Sequence, residues 1–210
     1  MKEVLKGSLE GIKVIDFSTL LPGPLASLFL SETGAEVIKI EKPDVGDEIR
    51  LSNPQWGEQS VSFSLLNRGK KSLSLDLKDP KNLKILIPIL KEADIIIEQF
   101  RPGVMKRLGL DYESVKKINQ DVIYVSITGY GQYGPKSQVA GHDLNYIGNA
   151  GLLSISMGRE NDTVVPPALV ADIAGGSYPA VINILLALRK RDLNKEGSYI
   201  DLSMTENLFK

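Results

Sequence analysis

The sequence contains no cysteine and a single histidine among its 210 residues. The lack of cysteine excludes disulfides, thiolate nucleophiles and zinc–thiolate sites. One histidine also disfavours a histidine-based metal site, because such sites usually take several imidazole ligands. We therefore expect no metal centre.

The chain also lacks an excess of either charge, since 25 basic and 26 acidic residues give a net charge of −1. Such a balance provides no long-range field that would attract nucleic acid or an anionic membrane. Any anionic ligand must be held by local basic side chains. The 42% apolar content is sufficient for the core of one large domain.

Long hydrophobic runs are missing as well. The longest, Val181 to Leu188, is far too short to span a bilayer, and Met1-Lys2-Glu3 opens the chain without the apolar segment of a signal peptide. We expect a cytoplasmic protein with no membrane partner.

The sequence does contain short β-branched runs that alternate with amphipathic stretches of helix length, the pattern of an α/β fold with a mostly parallel sheet. Ile95-Ile96-Ile97 shows no polar alternation, which predicts a strand covered by helices on both faces. The predicted strands are Lys13 to Phe17, Glu36 to Glu41, Ser72 to Leu77, Ala93 to Phe100, Asp121 to Thr128 and Ser198 to Met204.

Helices are predicted after Pro22-Gly23-Pro24, from Asp79-Pro80, from about Asp143, and from about Asp172 to Arg191. Pro88 predicts a kink or an early end in the second of these. The polar segment 42–71 is expected to be a loop-rich, mobile surface region. No helix is expected after the last strand, which suggests that residues 1–210 are part of a longer chain.

Gly129-Tyr130-Gly131-Gln132-Tyr133-Gly134 matches the G-x-G-x-x-G dinucleotide motif and follows a predicted strand. In a true motif the third glycine enters a helix, but Pro135 and polar residues follow here. We interpret the segment as a tight turn that brings backbone close to a ligand. The P-loop pattern is absent from the sequence.

His142, the only imidazole, precedes a predicted helix at the carboxyl side of the sheet, where open α/β sheets bind ligands. A neutral imidazole there can accept a proton near pH 7, and backbone N–H groups of the first helical turn can stabilise an oxyanion. Taken alone, His142 is at least as consistent with a capping or core histidine.

Asp172 precedes a helix start rich in small residues, and on its own it is best interpreted as a helix cap. Gly175 and Gly176 weaken a helix unless something approaches closely. We therefore expect a ligand or another backbone segment beside Asp172.

Basic residues near the ends of predicted strands form a third candidate group, because several of them follow strand ends and lysine and arginine can converge there on phosphates. Each of them singly is equally consistent with a solvated surface side chain. The group comprises Lys42, Lys70, Lys71, Arg101, Lys106 and Arg107.

In this order the motifs resemble the family that contains the class III CoA-transferases and α-methylacyl-CoA racemase. The matching segments are 9–14, Leu21-Pro22-Gly23-Pro24, 34–39, 67–72, Arg101-Pro102-Gly103-Val104, Gly129-Tyr130-Gly131-Gln132, Gly141-His142-Asp143 and Ala171-Asp172. The resemblance covers essentially the whole chain. The string Gly-His-Asp-Leu-Asn-Tyr at 141–146 is similar to the racemase branch.

The resemblance implies a Rossmann-like large domain that binds coenzyme A as part of its substrate, an interlocked homodimer, and no prosthetic group. In the racemase branch, His142 and Asp172 would exchange the α-proton of an acyl-CoA thioester on opposite faces, through an enolate. The Asp143 N–H is the candidate donor to the enolate oxygen.

The resemblance also assigns residues to the coenzyme. Lys42 and Arg107 would contact phosphate, with Lys42 in place of an arginine common in relatives. Ser74, Leu75, Asp76 and Leu77 would border the adenine, and Glu98 and Arg101 would line the nucleotide cleft. Gly141, His142, Asp143, Leu144, Asn145 and Tyr146 would border the thioester.

Racemases of this family place a further active-site glutamate and a small domain in sequence that would lie beyond Lys210. We accordingly expect residues 1–210 alone to have little or no turnover and to expose apolar surface. Two other functions stay open. One is a class III CoA-transferase with Asp172 as nucleophile, which would not need His142. The other is an inactive CoA-binding or dimerisation module.

Overall fold

A computed structural model describes residues 7–155 and 164–209 of the chain. The strands are β1 (Lys13–Asp16), β2 (Glu36–Glu41), β3 (Gln55–Trp56), β4 (Gln59–Ser60), β5 (Lys71–Ser74), β6 (Ile95–Glu98), β7 (Ile123–Thr128) and β8 (Ser198–Ser203). The helices are α1 (Pro22–Glu32), α2 (Val61–Leu66), α3 (Pro80–Lys91), α4 (Val104–Leu108), α5 (Tyr112–Lys116), α6 (Asp143–Asn149), α7 (Leu152–Ile155), α8 (Tyr178–Asn194) and α9 (Met204–Asn207). A 3₁₀ turn covers Glu48–Leu51, and a π-helical turn, Ala171–Ser177, leads into α8.

Six strands form a parallel sheet in the order β5-β2-β1-β6-β7-β8. The chain builds outward from β1 to β2 and β5, then returns to the other side of β1 with β6. The direction of winding therefore reverses between β1 and β6. Open α/β sheets bind ligands outside the carboxyl ends of the strands at such a reversal.

Alternate residues of the central strands pack on opposite faces of the sheet. Val14, Ile95 and Ile97 lie in a core cluster with residues of α1 and α8. Their neighbours Ile15 and Ile96 lie in a second cluster with residues of α3, α4 and α5. The prediction of a mostly parallel sheet with helices on both faces is confirmed.

Several predicted boundaries are wrong. The third predicted strand, Ser72 to Leu77, ends at Ser74 as β5, because the chain then leaves the sheet edge to line a cavity. Pro88 does not end α3, which continues to Lys91. Proline costs most where its ring and missing N–H disturb a helix interior, and Pro88 lies in the last turn.

The segment 42–71 contains the 3₁₀ turn, the β3–β4 hairpin and α2, so it has more regular structure than predicted. A short helix, α9, follows β8, although none was predicted there. Met1-Lys2-Glu3 and Lys210, on which the expectations about the two chain ends rest, lie outside the described residues.

The stretch Ala171–Asn194 is the one described helical segment long and apolar enough to cross a membrane, with a mean hydropathy of 1.4. This differs from the expectation drawn from apolar runs alone. Ala180, Ile184 and Leu188 of this stretch are buried against the sheet, as in a core helix of an α/β fold. The opposite face exposes Ile182 and Leu186, so the structure does have the exposed apolar surface that the sequence predicts. What covers this surface stays a prediction.

Candidate active site

Two cavities lie side by side at the carboxyl edge of the sheet, where the winding reverses. They have volumes of about 460 and about 470 Å³, and Thr19 after β1 and Phe100 after β6 line both of them. We name them the catalytic cavity, which is lined by His142 and Asp172, and the nucleotide cavity, which is lined by Lys42 and Arg107. A single extended ligand can therefore reach from one cavity into the other.

Asp172 lies in the π-helical turn ahead of α8, where the helix widens by one residue. The turn packs closely against its neighbours at Gly175 and Gly176. A Cβ at Gly175 would overlap the Met204 carbonyl, and a Cβ at Gly176 would press on Pro22. The expected close backbone approach beside Asp172 is thus made by the β8–α9 junction. No other Asp or Glu lines the catalytic cavity among the described residues.

The environment of Asp172 favours its protonated form. Burial, and secondarily the Asp143 carboxylate, raise the pKa of Asp172 from 3.8 to about 7. The Asp172 N–H donates to Asp143 Oδ1 at 2.9 Å. A carboxyl group with a pKa near neutrality can both accept and donate a proton at physiological pH.

His142 stands directly before α6, and its side chain is exposed at the mouth of the catalytic cavity. The backbone N–H of His142 donates to Asn145 Oδ1 at 2.9 Å, and this hydrogen bond fixes the backbone at the helix start. His142 is the N-cap residue of α6 and forms a capping box with Asn145, so the capping interpretation is confirmed. The core-histidine interpretation is wrong, because the side chain is exposed and lines the catalytic cavity.

Tyr146 fastens α6 to the segments that precede it. Its hydroxyl donates to the Gly141 carbonyl, and its ring occupies the space that a Cβ at Gly129 or Gly141 would need. Burial, followed by Asp172, raises the pKa of Tyr146 to about 12, so the hydroxyl stays a donor at neutral pH. These contacts hold the backbone on either side of His142.

Asp143 is buried, and its carboxylate accepts the Asp172 N–H, so it connects the two candidate catalytic segments. Its side chain does not line either cavity, and Leu144 is exposed away from both. Gly141, His142, Asn145 and Tyr146 do line the catalytic cavity. The role of the Asp143 N–H stays a prediction.

Most of the residues that were expected to contact the nucleotide lie together in the structure. Leu75, Asp76 and Leu77 line the nucleotide cavity with Lys42 and Arg107. Lys42 also pairs with Glu48 at 3.0 Å on the surface. The cavity therefore combines apolar lining residues with cations, a combination that can hold an anionic ligand with an apolar part.

Lys78 also lines the nucleotide cavity and was not predicted from the sequence. Its position directly after the Leu75-Asp76-Leu77 segment could have indicated that it lines the same cavity. Gln99 was missed as well: it lines the catalytic cavity, and its side-chain oxygen accepts the Gly23 N–H at 3.1 Å.

Three of the residues expected around the adenine and the nucleotide cleft lie elsewhere. Ser74 is exposed at the end of β5 and lines neither cavity. Glu98 is buried and lines a separate cavity of about 300 Å³, together with residues of β7 and β8 such as Ser126 and Tyr199. Burial raises the pKa of Glu98 to about 7. Arg101 lines this third cavity and the catalytic cavity, but not the nucleotide cavity.

Of the remaining basic candidates, Lys70 has a structural role. Its ammonium lies 3.5 Å from Asp16 and donates to the Pro24 carbonyl at 2.8 Å, with a side chain only 1% exposed. Lys39 and Asp47 form a neighbouring buried pair at 2.9 Å. Lys71 pairs with Glu36 on the surface, and Lys106 lines the third cavity.

This buried ionic cluster fixes the loop that follows β1. Lys39 donates to the Ser18 carbonyl at 2.6 Å, and the Leu20 N–H donates to Asp47 Oδ1 at 3.0 Å. Leu20 has a φ of 62°, a strained conformation for a leucine, and it lines the catalytic cavity. The cluster therefore holds a strained wall of the site in place.

The G-x-G-x-x-G segment behaves as a turn. Gly131 and Gly134 have φ values of 84° and 92°, and the next helix, α6, begins only at Asp143. Gly129 and Tyr130 line the catalytic cavity, so the backbone approaches the ligand space as expected. No cluster of metal-ligating side chains is found in residues 7–155 and 164–209.

Comparison with known proteins shows the family of the chain. The model of the CoA-transferase family III matches residues 9–210. The chain belongs to this family.

Similar curated proteins carry two kinds of name. The chain is 39% identical to human succinyl-CoA:glutarate CoA-transferase over 93% of this chain and 45% of that protein. It is 38% identical to acetyl-CoA:oxalate CoA-transferase from Acetobacter aceti over 95% of this chain and 51% of that protein. It is also 36% identical to human alpha-methylacyl-CoA racemase over 95% and 48%. The family is thus shown, but not the branch.

Among solved structures, a CAIB/BAIF family protein from Brucella suis superposes with a TM-score of 0.91 at 33% identity, over 97% of this chain and 55% of that one. Rv3272 from Mycobacterium tuberculosis gives 0.88 at 31% identity, over 96% and 56%. The chain spans about half the length of the proteins it matches.

Proposed function

We propose that the enzyme containing this chain epimerises the α-carbon of an acyl-CoA thioester, with His142 and Asp172 as its two proton carriers. The observation that carries the proposal is that both side chains line one cavity beside a cavity suited to a nucleotide. The coenzyme A nucleotide occupies the nucleotide cavity, and the thioester reaches between His142 and Asp172.

In this mechanism one residue removes the α-proton and the other returns a proton to the opposite face of the enolate. The pKa of about 7 at Asp172 suits this exchange, because a residue that works in both directions must be found in both protonation states. His142 lines the same cavity with an exposed side chain. The thioester carbonyl takes up the negative charge, and the Asp143 N–H is the proposed donor to it.

A CoA-transferase is the second candidate. It is favoured by the names of two of the similar proteins and by Asp172, the one described carboxyl group that lines the catalytic cavity. In that reaction the ionised Asp172 attacks the thioester and forms an acyl-aspartyl anhydride. The raised pKa of Asp172 disfavours this step, because at neutral pH a substantial fraction of the carboxyl would be protonated.

Deuterium incorporation distinguishes the two reactions. The protein expressed from its complete reading frame is incubated in D₂O with a single enantiomer of a 2-methylacyl-CoA. We expect deuterium at the α-carbon together with the opposite enantiomer, and we expect formation of the opposite enantiomer to fall at least 100-fold in His142→Ala.

The transferase outcome has its own signature. An Asp172 that becomes a hydroxamate when acyl-CoA and hydroxylamine are added, with no α-deuterium, would overturn the racemase proposal. The variant Lys106→Ala is a matched control, since Lys106 lines neither of the two cavities.

A further inference from the structure

Asp47 connects the two cavities through a single carboxylate. It lines the nucleotide cavity next to Gly46 and Glu48. Its Oδ1 accepts the N–H of Leu20 at 3.0 Å, and Leu20 lines the catalytic cavity. A residue at the edge of one cavity is therefore bonded directly to the wall of the other.

The surroundings of Asp47 fix the position of its carboxylate. The side chain is fully buried, and its Oδ2 lies 2.9 Å from the ammonium of Lys39, which is 2% exposed. Oδ1 also accepts the Ile49 N–H at 3.1 Å, and the Asp47 N–H donates to Glu41 Oε2 at 2.9 Å. Asp47 cannot turn away from Leu20 without leaving Lys39 as an unpaired buried charge, which is costly.

Leu20 is the strained member of this connection. Its φ of 62° lies in the left-handed region, which a leucine occupies only where its surroundings enforce it. The hydrogen bond to Asp47 opposes relaxation of this backbone to a negative φ. Relaxation would break that bond, move a wall of the catalytic cavity, and remove a support of residues 46–48 at the nucleotide cavity.

We propose that Asp47 is a positioning residue that makes ligand binding in the two cavities cooperative. A nucleotide that contacts residues 46–48 favours the held conformation of Leu20, and an acyl group that packs on Leu20 favours the same conformation. Each ligand therefore strengthens the binding of the other, and the nucleotide helps to place the acyl carbon between His142 and Asp172. This inference rests on the proposed function as an acyl-CoA enzyme and applies to the racemase and transferase reactions alike.

Dividing the substrate into two separate ligands tests the inference, because cooperativity is then measured as binding. The ligands are 3′-phospho-ADP, the nucleotide part of coenzyme A, and 2-methylbutyryl-pantetheine, which carries the thioester. Calorimetric titrations of the protein expressed from its complete reading frame give the affinity for 3′-phospho-ADP with and without saturating thioester. We expect the thioester to tighten nucleotide binding at least fivefold in the wild type.

Two double variants isolate the hydrogen bond between Asp47 and Leu20. Lys39→Met with Asp47→Leu removes the buried ion pair and the acceptor, whereas Lys39→Met with Asp47→Asn removes the same ion pair but keeps an acceptor oxygen. Neither double variant leaves one partner of the ion pair buried and unpaired. We expect the effect of the thioester on nucleotide affinity to disappear in the first double variant and to persist in the second. A merely structural role of the ion pair would change both variants equally.

Leu20→Gly tests the same connection without a change in the buried ion pair, should circular dichroism show that the first double variant does not fold. Glycine adopts a φ near 62° without strain, so the fold and the hydrogen bond to Asp47 should be kept. Because no strained conformation then has to be stabilised and the leucine side chain is absent, the thioester should no longer tighten nucleotide binding.

Asp44→Asn is the matched control in the same loop. The Asp44 side chain is exposed and lines neither cavity, and its φ of 67° is tolerated by asparagine. This variant should keep the full effect of the thioester on nucleotide affinity.

Each contrary result has a distinct meaning. Equal nucleotide affinities with and without thioester in the wild type would refute the inference and leave the proposed function standing. An effect that persists in Lys39→Met with Asp47→Leu, or in Leu20→Gly, would also refute it. If the wild type binds neither ligand and does not bind intact coenzyme A, the acyl-CoA function fails together with the inference.

Discussion

Asp172 illustrates how a fold changes the chemistry of one residue. In a peptide its carboxyl group is ionised at neutral pH, but burial and the nearby Asp143 carboxylate raise its pKa to about 7. The sequence identified the position, because an acidic residue stands before two helix-weakening glycines. It could not reveal the pKa, which depends on burial in the fold and on Asp143, 29 residues earlier in the chain.

The raised pKa predicts a pH-dependent cost in stability. Between about pH 4 and pH 7 the folded protein holds a proton on Asp172 that the unfolded chain has released, so stability falls as pH rises through this window. Asp172→Asn cannot ionise and escapes this loss. The free energy of unfolding measured with urea should therefore increase for Asp172→Asn relative to the wild type from pH 4 to pH 8, by up to about 4 kcal/mol.

Asp192→Asn, an exposed change near the end of the same helix, is the control and should show no such gain. A difference between Asp172→Asn and wild type that stays constant from pH 4 to pH 8 would contradict the assigned environment of Asp172.

At the scale of elements, the π-helical turn before α8 is the least predictable feature of the site. The sequence predicts one helix from about Asp172, whereas the structure has a widened turn over Ala171–Ser177 and a regular helix from Tyr178. The turn forms where Gly175 and Gly176 meet the β8–α9 junction. Such long-range backbone contacts leave no local periodicity, so only the presence of glycines signals them.

This packing predicts a strong effect of Gly175→Ala. The added Cβ would overlap the Met204 carbonyl, a backbone atom that cannot rotate away. We expect a loss of about 2 kcal/mol or more in the free energy of unfolding, measured with urea. Gly148→Ala is the matched control, because the new Cβ would meet only the flexible end of Leu153. Equal stabilities of the two variants would argue against the tight packing.

Other elements were predictable to the residue where the pattern is strong. The second strand, Glu36 to Glu41, was predicted with its observed bounds, since β-branched residues fill it and Gly34 precedes it. β5 was predicted too long, because Leu75 and Leu77 read as strand residues although they line the nucleotide cavity. The sequence alone does not distinguish apolar residues that line a ligand cavity from apolar residues that pack in the core.

At the scale of the whole molecule, the reversal of sheet winding explains why residues from distant segments converge. Thr19 follows β1, Phe100 follows β6, and the two residues line both cavities. The motifs and the resemblance predicted several of the residues that line these cavities, but Ser74 and Glu98 lie elsewhere, and Lys78 and Gln99 were not predicted. They did not separate Arg101 from the cations that line the nucleotide cavity, because sequence order alone does not show which cavity a side chain enters.

The central claim is that His142 and Asp172 act from opposite faces of one substrate carbon. The most direct test follows α-proton exchange in D₂O with each enantiomer of a 2-methylacyl-CoA separately, using His142→Gln and Asp172→Asn. We predict that neither variant epimerises, that each still exchanges the α-proton of one enantiomer, and that the enantiomer is opposite for the two variants. Exchange of the same enantiomer by both variants would contradict the claim.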